Sequence, residues 1–247
     1  MLSSCIVTSV GKQYKNLIGD TLNKIPLFIN KIFIINDTGD TLSLKNGEER
    51  VVILDNKESI GLSKSLEKWS KEYYKYDLIF RIDMGDLSKP ERFINQYNFM
   101  LNNPNYVLCG YQTKLIFQDK KQKKTFYSLK SFLIKSILYF RNCIVHGSIC
   151  IRTSALIESG GYRGYFKSCQ DIDLYLRLMK KGKFAILKGP YHEHKFQKHI
   201  STTFSRKKEN FKVTSIIRFF AASKSILAFP FLLISSGYYF IKYLLES

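Results

Sequence analysis

The residues best suited to chemistry in this 247-residue chain are acids and histidines set at the ends of apolar runs. Asp37 follows "KIFIIN", Asp55 follows "RVVIL", and Asp83 follows "DLIFRI", with Gly85 and Asp86 close behind in "RIDMGD". Two carboxylates held together at a strand end can bind Mg²⁺ or Mn²⁺, and the cation can in turn hold a diphosphate. Gly85 leaves room for a phosphate or sugar to approach the backbone. Asp and Gly also make turns, so this stretch alone leaves turn and metal site both open. Further on, Asp171 and Asp173 open "QDIDLYLRLM", where carboxylates can cap a helix as readily as do chemistry. His192, His194 and His199 in "YHEHKFQKHIS" have spacings compatible with metal ligation and equally with a basic loop.

The elements that must position these residues alternate. "SCIVTSV" reads as a strand, residues 15–25 as a helix, "KIFIIND" and "RVVILDN" as two more strands. "GLSKSLEKWSKEYYKY" is helical, with Leu62, Leu66 and Trp69 on one face; "DLIFRID" is a fourth strand. "KPERFINQYNFMLNN" is a helix with Pro90 in its first turn. "NPNYVLCGYQTKLIF" is another strand region. The segment opened by Asp171 and Asp173 is a helix with Ile172, Tyr175, Leu176 and Met179 as its buried stripe, closed by Lys180, Lys181 and a C-cap at Gly182. Near-continuous apolar strands separated by helices predict an α/β fold with a mostly parallel sheet covered on both faces. Ligands bind such sheets beyond the carboxyl ends of the strands, where Asp37, Asp55 and Asp83 stand.

A hydrophobic content of 45% suffices for one sizeable core. Five isolated cysteines, without a CxxC pair, predict reduced core thiols of a cytoplasmic protein, and "MLSSCIVTSV" lacks the basic and apolar regions of a signal peptide. The formal net charge of +19 points to a polyanionic partner: nucleic acid, an anionic membrane surface or a phosphorylated substrate. Residues 114–141 carry eight Lys/Arg against one acid, and residues 205–247 carry seven against two around an apolar segment.

Four blocks in order resemble the family 2 glycosyltransferases of GT-A fold, most of all the small bacterial enzymes that build lipopolysaccharide, lipooligosaccharide or capsule. They are "IFIINDTGD", "SIGLSKSLEKW" running on to "LIFRIDMGDLSKPERFINQ", "NCIVHGSICIRTSALIESGGYR" and "CQDIDLYLRLMKKGKFAIL", and the likeness spans residues 4–203. The resemblance implies an inverting, metal-dependent hexosyltransferase moving a sugar from a nucleotide sugar, UDP-linked in most such enzymes, to a hydroxyl of a lipid-linked or cell-surface glycan. It implies that Thr8 and Asp37 contact the nucleotide, and that Asp83 is the first acid of a D-x-D type motif. Gly85 stands where that motif has its second acid, so Asp86 becomes the metal partner. Arg81 matches a basic residue before the motif, and His146 and the pair Gly160–Gly161 line the donor and acceptor pocket. Asp171 matches the catalytic base, with Gln170 in place of a preceding Glu. His199, with Ser201, matches a histidine near the diphosphate and metal; His192 or His194 could serve instead.

The expected division is a GT-A domain over 1–204 and a basic, apolar tail over 205–247 that associates with a membrane. Residues 225–241 are uncharged, but seventeen residues interrupted by Pro230 and Gly237 fall short of the roughly 20 needed for a span. They suit an interfacial segment as well as a crossing one, on the inner face of the cell membrane. Two other classes fit the sequence less well. A nucleotidyltransferase needs a fuller phosphate loop than Gly11 and Lys12 provide, and a non-catalytic polyanion or nucleic-acid binder lacks a recognition module, so nucleic acid is not an expected partner.

Overall fold

The computed structural model describes residues 1–12, 17–42, 49–117, 119, 121–195, 207–222 and 229–245. In chain order the elements are β1 (Ser4–Val10), α1 (Ile18–Leu22), β2 (Lys31–Asn36), β3 (Val51–Asp55), α2 (Leu62–Lys68), α3 (Ser70–Tyr73), β4 (Leu78–Arg81) and α4 (Pro90–Asn102). There follow β5 (Tyr106–Ile116), β6 (Gln122–Lys124), α5 (Ser131–Phe140), β7 (Cys150–Arg152), α6 (Thr153–Glu158), α7 (Gln170–Leu178), β8 (Lys183–Lys195), α8 (Lys207–Ala222) and α9 (Phe229–Leu245).

One sheet runs in the order β3-β2-β1-β4-β7-β5-β6, with β8 added alongside β5. β1 pairs in parallel with both β2 and β4, and β2 with β3, while β7 runs antiparallel between β4 and β5. Alternation along the strands divides the core. Cys5, Val7, Phe33 and Ile35 face one apolar cluster, and Ile6, Val10, Ile32 and Ile34 face the other. Both clusters are covered by helices, which is why these strands read as unbroken apolar runs. Each fully buried aliphatic side chain contributes roughly 1.5–3 kcal/mol. The parallel register sets Val7 beside Arg81 and Val10 beside Asn36, which in turn lies beside Asp55. The carboxyl ends of β1, β2 and β4 therefore open on one edge.

α1 is shorter than expected, and Gly182 does not make a left-handed cap. α7 ends at Leu178, and Met179 keeps a right-handed conformation. Gly182 is instead needed for space, because a Cβ there would come 2.4 Å from Val107 Cγ1. α4 begins with Pro90 as its first residue and seats Phe93 edge-on against Phe80 of β4, with ring centroids 5.8 Å apart.

The tail forms two helices packed on each other and on the sheet's helical layer. Ile217 of α8 and Leu232 of α9 join the larger core cluster. Ser215 and Ser236 hydrogen-bond across the pair. Arg218 is buried and donates to the carbonyls of Leu138 and Tyr139 at the end of α5. Among the described residues no helix is long and apolar enough to cross a membrane. The outer sides of α8 and α9 nevertheless expose Phe219, Phe220, Phe231, Ile234, Ile241 and Leu245.

Candidate active site

β4 delivers the first components. Arg81, its last residue, is buried at 1% exposure and donates through Nη1 to Val7 O at 2.6 Å and through Nη2 to Asp83 Oδ1 at 3.1 Å. It thus ties β1 to the acid loop and fixes one carboxylate oxygen of Asp83. The chain then turns: Asp86 N–H donates to Asp83 O, and Gly85 sits at φ +91°. That backbone conformation is costly for a side chain with a Cβ. Gly85 meets that requirement, and the turn carries Asp86 toward β8.

Asp86 is buried and faces β8. Leu87 and Glu193 exchange two backbone hydrogen bonds, 3.0 and 2.8 Å, which fasten the acid loop to that strand. Strand alternation then points His192 and His194 to the same side. His192 Nε2 lies 2.9 Å from Asp86 Oδ2, and His194 Nδ1 lies 2.9 Å from Oδ1. Burial works against the Asp86 charge, but the two imidazoles outweigh it and hold the carboxyl down at about 2. Burial pushes His192 down, whereas at His194 the Asp86 carboxylate outweighs burial and raises the pKa.

The tautomer of His192 follows from its neighbours. Its Nδ1 is approached by Arg92 Nη1 at 3.3 Å and by Ser88 Oγ at 2.7 Å. A guanidinium only donates, so Nδ1 accepts and Nε2–H donates to Asp86. Arg92, fully buried on α4, also donates to Ser88 Oγ, Gln96 Oε1 and Arg81 O.

Ligand atoms of Asp83, Asp86 and His194 all lie within 4.8 Å of one another. Two carboxylates and an imidazole suit a divalent cation such as Mg²⁺ or Mn²⁺. Gly147 walls this cluster: a Cβ there would lie 2.9 Å from Asp86 Oδ2 and 3.0 Å from Asp83 Oδ2. His199 and Ser201, the other expected contributors, lie outside the described residues.

Beside Gly147, His146 is buried with its Nε2 2.8 Å from the Tyr162 hydroxyl. Burial, reinforced by Arg81, lowers its pKa to about 3 and leaves it neutral. Gly161, at φ +63°, presses on Tyr74, whose hydroxyl oxygen would be 2.3 Å from a Cβ. It shapes the turn that presents Tyr162.

Asp171 lies in the first turn of α7. Its Oδ1 accepts from Ile172 N–H at 2.9 Å and its Oδ2 from Asn142 Nδ2 at 2.6 Å. Burial raises its pKa to about 6, and the negative charge of Asp83 adds to the rise. The Asp83 charge acting on Asp171 marks the two carboxyls as electrostatic neighbours. Asp173, by contrast, is spent on structure, in ion pairs with Arg177 and Arg163.

Asp37 and Thr8 stand deeper than the cleft. Asp37 accepts five hydrogen bonds from the chain itself: Asn56 Nδ2, Ile60 N–H and Ser65 Oγ on one oxygen, Gly61 N–H and Ser59 Oγ on the other. It staples the loop between β3 and α2 to the end of β2. Asn36, beside it, donates to Asp55 at 2.6 Å. Thr8 is fully buried, and its hydroxyl meets no partner among the described residues.

Comparison with known proteins fits this architecture. No protein-family model matches the chain. Over 156 residues it is 28% identical to the O-antigen biosynthesis glycosyltransferase WbnJ of Escherichia coli, a match that spans about 61% of this chain and 61% of that relative's own length. The S. aureus TarS structure in complex with UDP-GlcNAc superposes with a TM-score of 0.68 at 11% identity, covering 94% of this chain and 70% of that one. The fold is GT-A. The mannosyltransferase PcManGT from Pyrobaculum calidifontis, in complex with GDP-Man and Mn²⁺, superposes over all of this chain and 76% of its own, with a TM-score of 0.63 at 9% identity.

Sequence reasoning did not single out Asn142, Gly147 or Arg92. Asn142 and Gly147 fall in "NCIVHGSI", between elements, where spacing alone assigns no role. Arg92 reads as an exposed helix charge until α4 is packed against β8.

Proposed function

We propose that the chain is an inverting glycosyltransferase that moves a sugar from a nucleotide-sugar donor, a UDP-sugar foremost, to a hydroxyl of a lipid-linked or cell-surface glycan. The observation that carries this reading is Asp171, a carboxyl with its pKa raised toward 6, sharing a cleft with the cluster of Asp83, Asp86 and His194. Asp171 takes the proton of the acceptor hydroxyl as that oxygen attacks the anomeric carbon from the face opposite the leaving diphosphate. One displacement inverts the configuration, and a single base suffices. A divalent cation, held by Asp83, Asp86 and His194, supplies charge neutralisation on the departing diphosphate. Arg81 and His192 hold those two carboxylates in place. Asp37 braces the loop on which the nucleotide rests. The O-antigen enzyme among the relatives and the nucleotide-sugar complexes on the same fold support the donor class and the glycan acceptor.

The reading also places the protein on the cytoplasmic face of an anionic membrane, held there by α8 and α9. Their exposed Phe, Ile and Leu side chains are accompanied by Lys208, Lys212 and Lys242, each stacked on an aromatic ring. Lysine rims around aromatic faces suit the headgroup boundary.

The test is donor hydrolysis and transfer across a panel of nucleotide sugars, with and without Mn²⁺, for the wild type and Asp171→Asn. Metal-dependent turnover of one donor, lost in the variant while donor binding persists, is the expected result. Failure of every donor to bind would refute the reading. For the membrane, flotation with vesicles containing anionic lipid should recover the wild type and not Phe219→Glu/Ile234→Glu. Equal recovery of both would remove the helices from that role.

A further inference from the structure

We propose that Asn142 is the positioning residue of Asp171: its amide, fixed by a turn at the end of α5, aims the carboxylate and keeps it ionised. The proposal rests on the reading of Asp171 as the base and adds the group through which the fold controls it.

The orientation of the Asn142 amide is determined by its surroundings. Its Oδ1 accepts Ile144 N–H at 3.0 Å, so Nδ2 is the end that faces Asp171, 2.6 Å from Oδ2. The other carboxylate oxygen is held by Ile172 N–H at 2.9 Å. Each oxygen of Asp171 therefore holds one donor from the chain, which fixes the plane of the carboxylate. A carboxylate oxygen has room for a second proton donor, which leaves acceptance from a substrate hydroxyl open. A donated hydrogen bond favours the ionised form, which a base requires.

The fold holds both partners from the same side. Asn142 follows α5, whose Leu138 and Tyr139 carbonyls accept from Arg218 of α8 and whose Phe140 carbonyl accepts from Ser235 of α9 at 3.4 Å. A guanidinium at a helix C-terminus also matches the helix dipole. Before α7, Cys169 Sγ lies 3.4 Å from Thr214 Oγ1 of α8. The helices proposed to meet the membrane thus fix the two segments that carry the amide and the carboxylate. The other titratable groups around Asp171 do not substitute for Asn142. They are Asp83 beyond β4, Cys169 before α7, Tyr162 after α6 and Tyr175 on α7 itself. Asp83 repels the charge, and burial raises the pKa of the thiol and of both phenols, so these three stay neutral.

The experiment compares wild type, Asn142→Ala, Asn142→Asp and Asp171→Asn, all full length. It records kcat, donor KM and the acid limb of kcat/KM between pH 5 and 9 with Mn²⁺. Asn142→Asp is the sharper variant, because its carboxylate still accepts from Ile144 N–H but opposes Asp171 with a second charge. Its acid limb should move up by more than about one pH unit. Asn142→Ala should move the limb up by about half a unit and lower plateau kcat about tenfold, with donor KM within about twofold of wild type. A purely structural role for Asn142 would leave the limb of Asn142→Ala in place, since that variant withdraws the donor without adding a charge. That result, with Asp171→Asn inactive, overturns the proposal alone. If Asp171→Asn turns over like the wild type, the base assignment itself falls. Should Asn142→Ala fail to fold, Asn142→Ser, whose hydroxyl can still accept from Ile144 N–H but which is too short to donate to Asp171, decides the matter.

Discussion

His192 and Asp86 face each other across 2.9 Å at the bottom of the cleft, and the imidazole can only donate there because Arg92 and Ser88 occupy its other nitrogen. A buried arginine on a helix thereby sets the proton position that keeps a carboxylate at the cluster ionised. His192→Ala should remove this support without removing an atom that would meet a cation. Outer partners of this kind typically contribute 10–100-fold in metal affinity. The Mn²⁺ concentration for half-maximal activity should rise by about that factor, and His192→Gln, which keeps a donor, should fall between. An unchanged Mn²⁺ curve for the alanine variant would count against the arrangement.

Asp171 should set the acid limb of the pH profile. A base works only when ionised, so with its pKa raised to about 6, kcat/KM should fall tenfold per unit below that pH. Stability responds with the opposite sign. The folded state binds this proton more tightly than the unfolded chain, so the group weakens the fold as pH rises from about 4 through 6. Asp171→Asn should therefore abolish turnover and still raise Tm at pH 7.5 by a few degrees, on the order of 1 kcal/mol or more. The gain should vanish near pH 4, which a pair of thermal melts will read.

Much of this was legible in the sequence because strands and carboxylates write themselves locally. The apolar runs ending at Asn36, Asp55 and Arg81 are the observed β2, β3 and β4, and the acids that follow them stand at one edge. What was not legible depends on elements distant in sequence meeting. His192 and His194 reach Asp86 only because β8 lies alongside β5 and bridges back to Leu87, about a hundred residues upstream. Gly85 reads as a turn residue, but that the turn needs a φ of +91° is visible only in the structure. Asp37 reads as an acid at the end of β2, but the five donors that it accepts from lie in a loop 19 to 28 residues later. The tail read as apolar and basic, and both descriptions hold, but the capping of α5 by Arg218 has no local signature.

His146 should make the protein acid-sensitive. Its pKa is depressed to about 3 by burial and by Arg81, while the unfolded chain takes up the proton near 6.5. The unfolded state therefore binds more protons as pH falls below about 6.5, and stability drops through that window. At pH 4 this amounts to roughly 3 kcal/mol as an upper figure. Urea midpoints measured between pH 7 and 4 should fall steeply for the wild type and less for His146→Asn, which cannot charge. Parallel curves would mean that His146 is not held neutral.

Gly147 offers the most selective probe of the acid cluster. A methyl group there would sit 2.9 Å from Asp86 Oδ2 and 3.0 Å from both Asp83 N and Asp83 Oδ2. The two carboxylate oxygens are those that would otherwise face a cation, and with the Asp83 backbone nitrogen they belong to a loop fastened at both ends, so they have little room to yield. Gly147 has no positive φ to lose, so the backbone tolerates alanine. Gly147→Ala should accordingly lower Tm by several degrees, since the neighbours must shift by a few tenths of an ångström. Mn²⁺-dependent donor turnover should fall by about a hundredfold or more, while binding of the free nucleoside diphosphate without metal should change little. Asp86→Asn in the same assays should resemble Gly147→Ala in turnover but lose more stability, because an amide nitrogen replaces one of the two oxygens that His192 and His194 share. If Gly147→Ala retains full metal-dependent activity, the cation is held elsewhere and the three-residue cluster is a structural ion network.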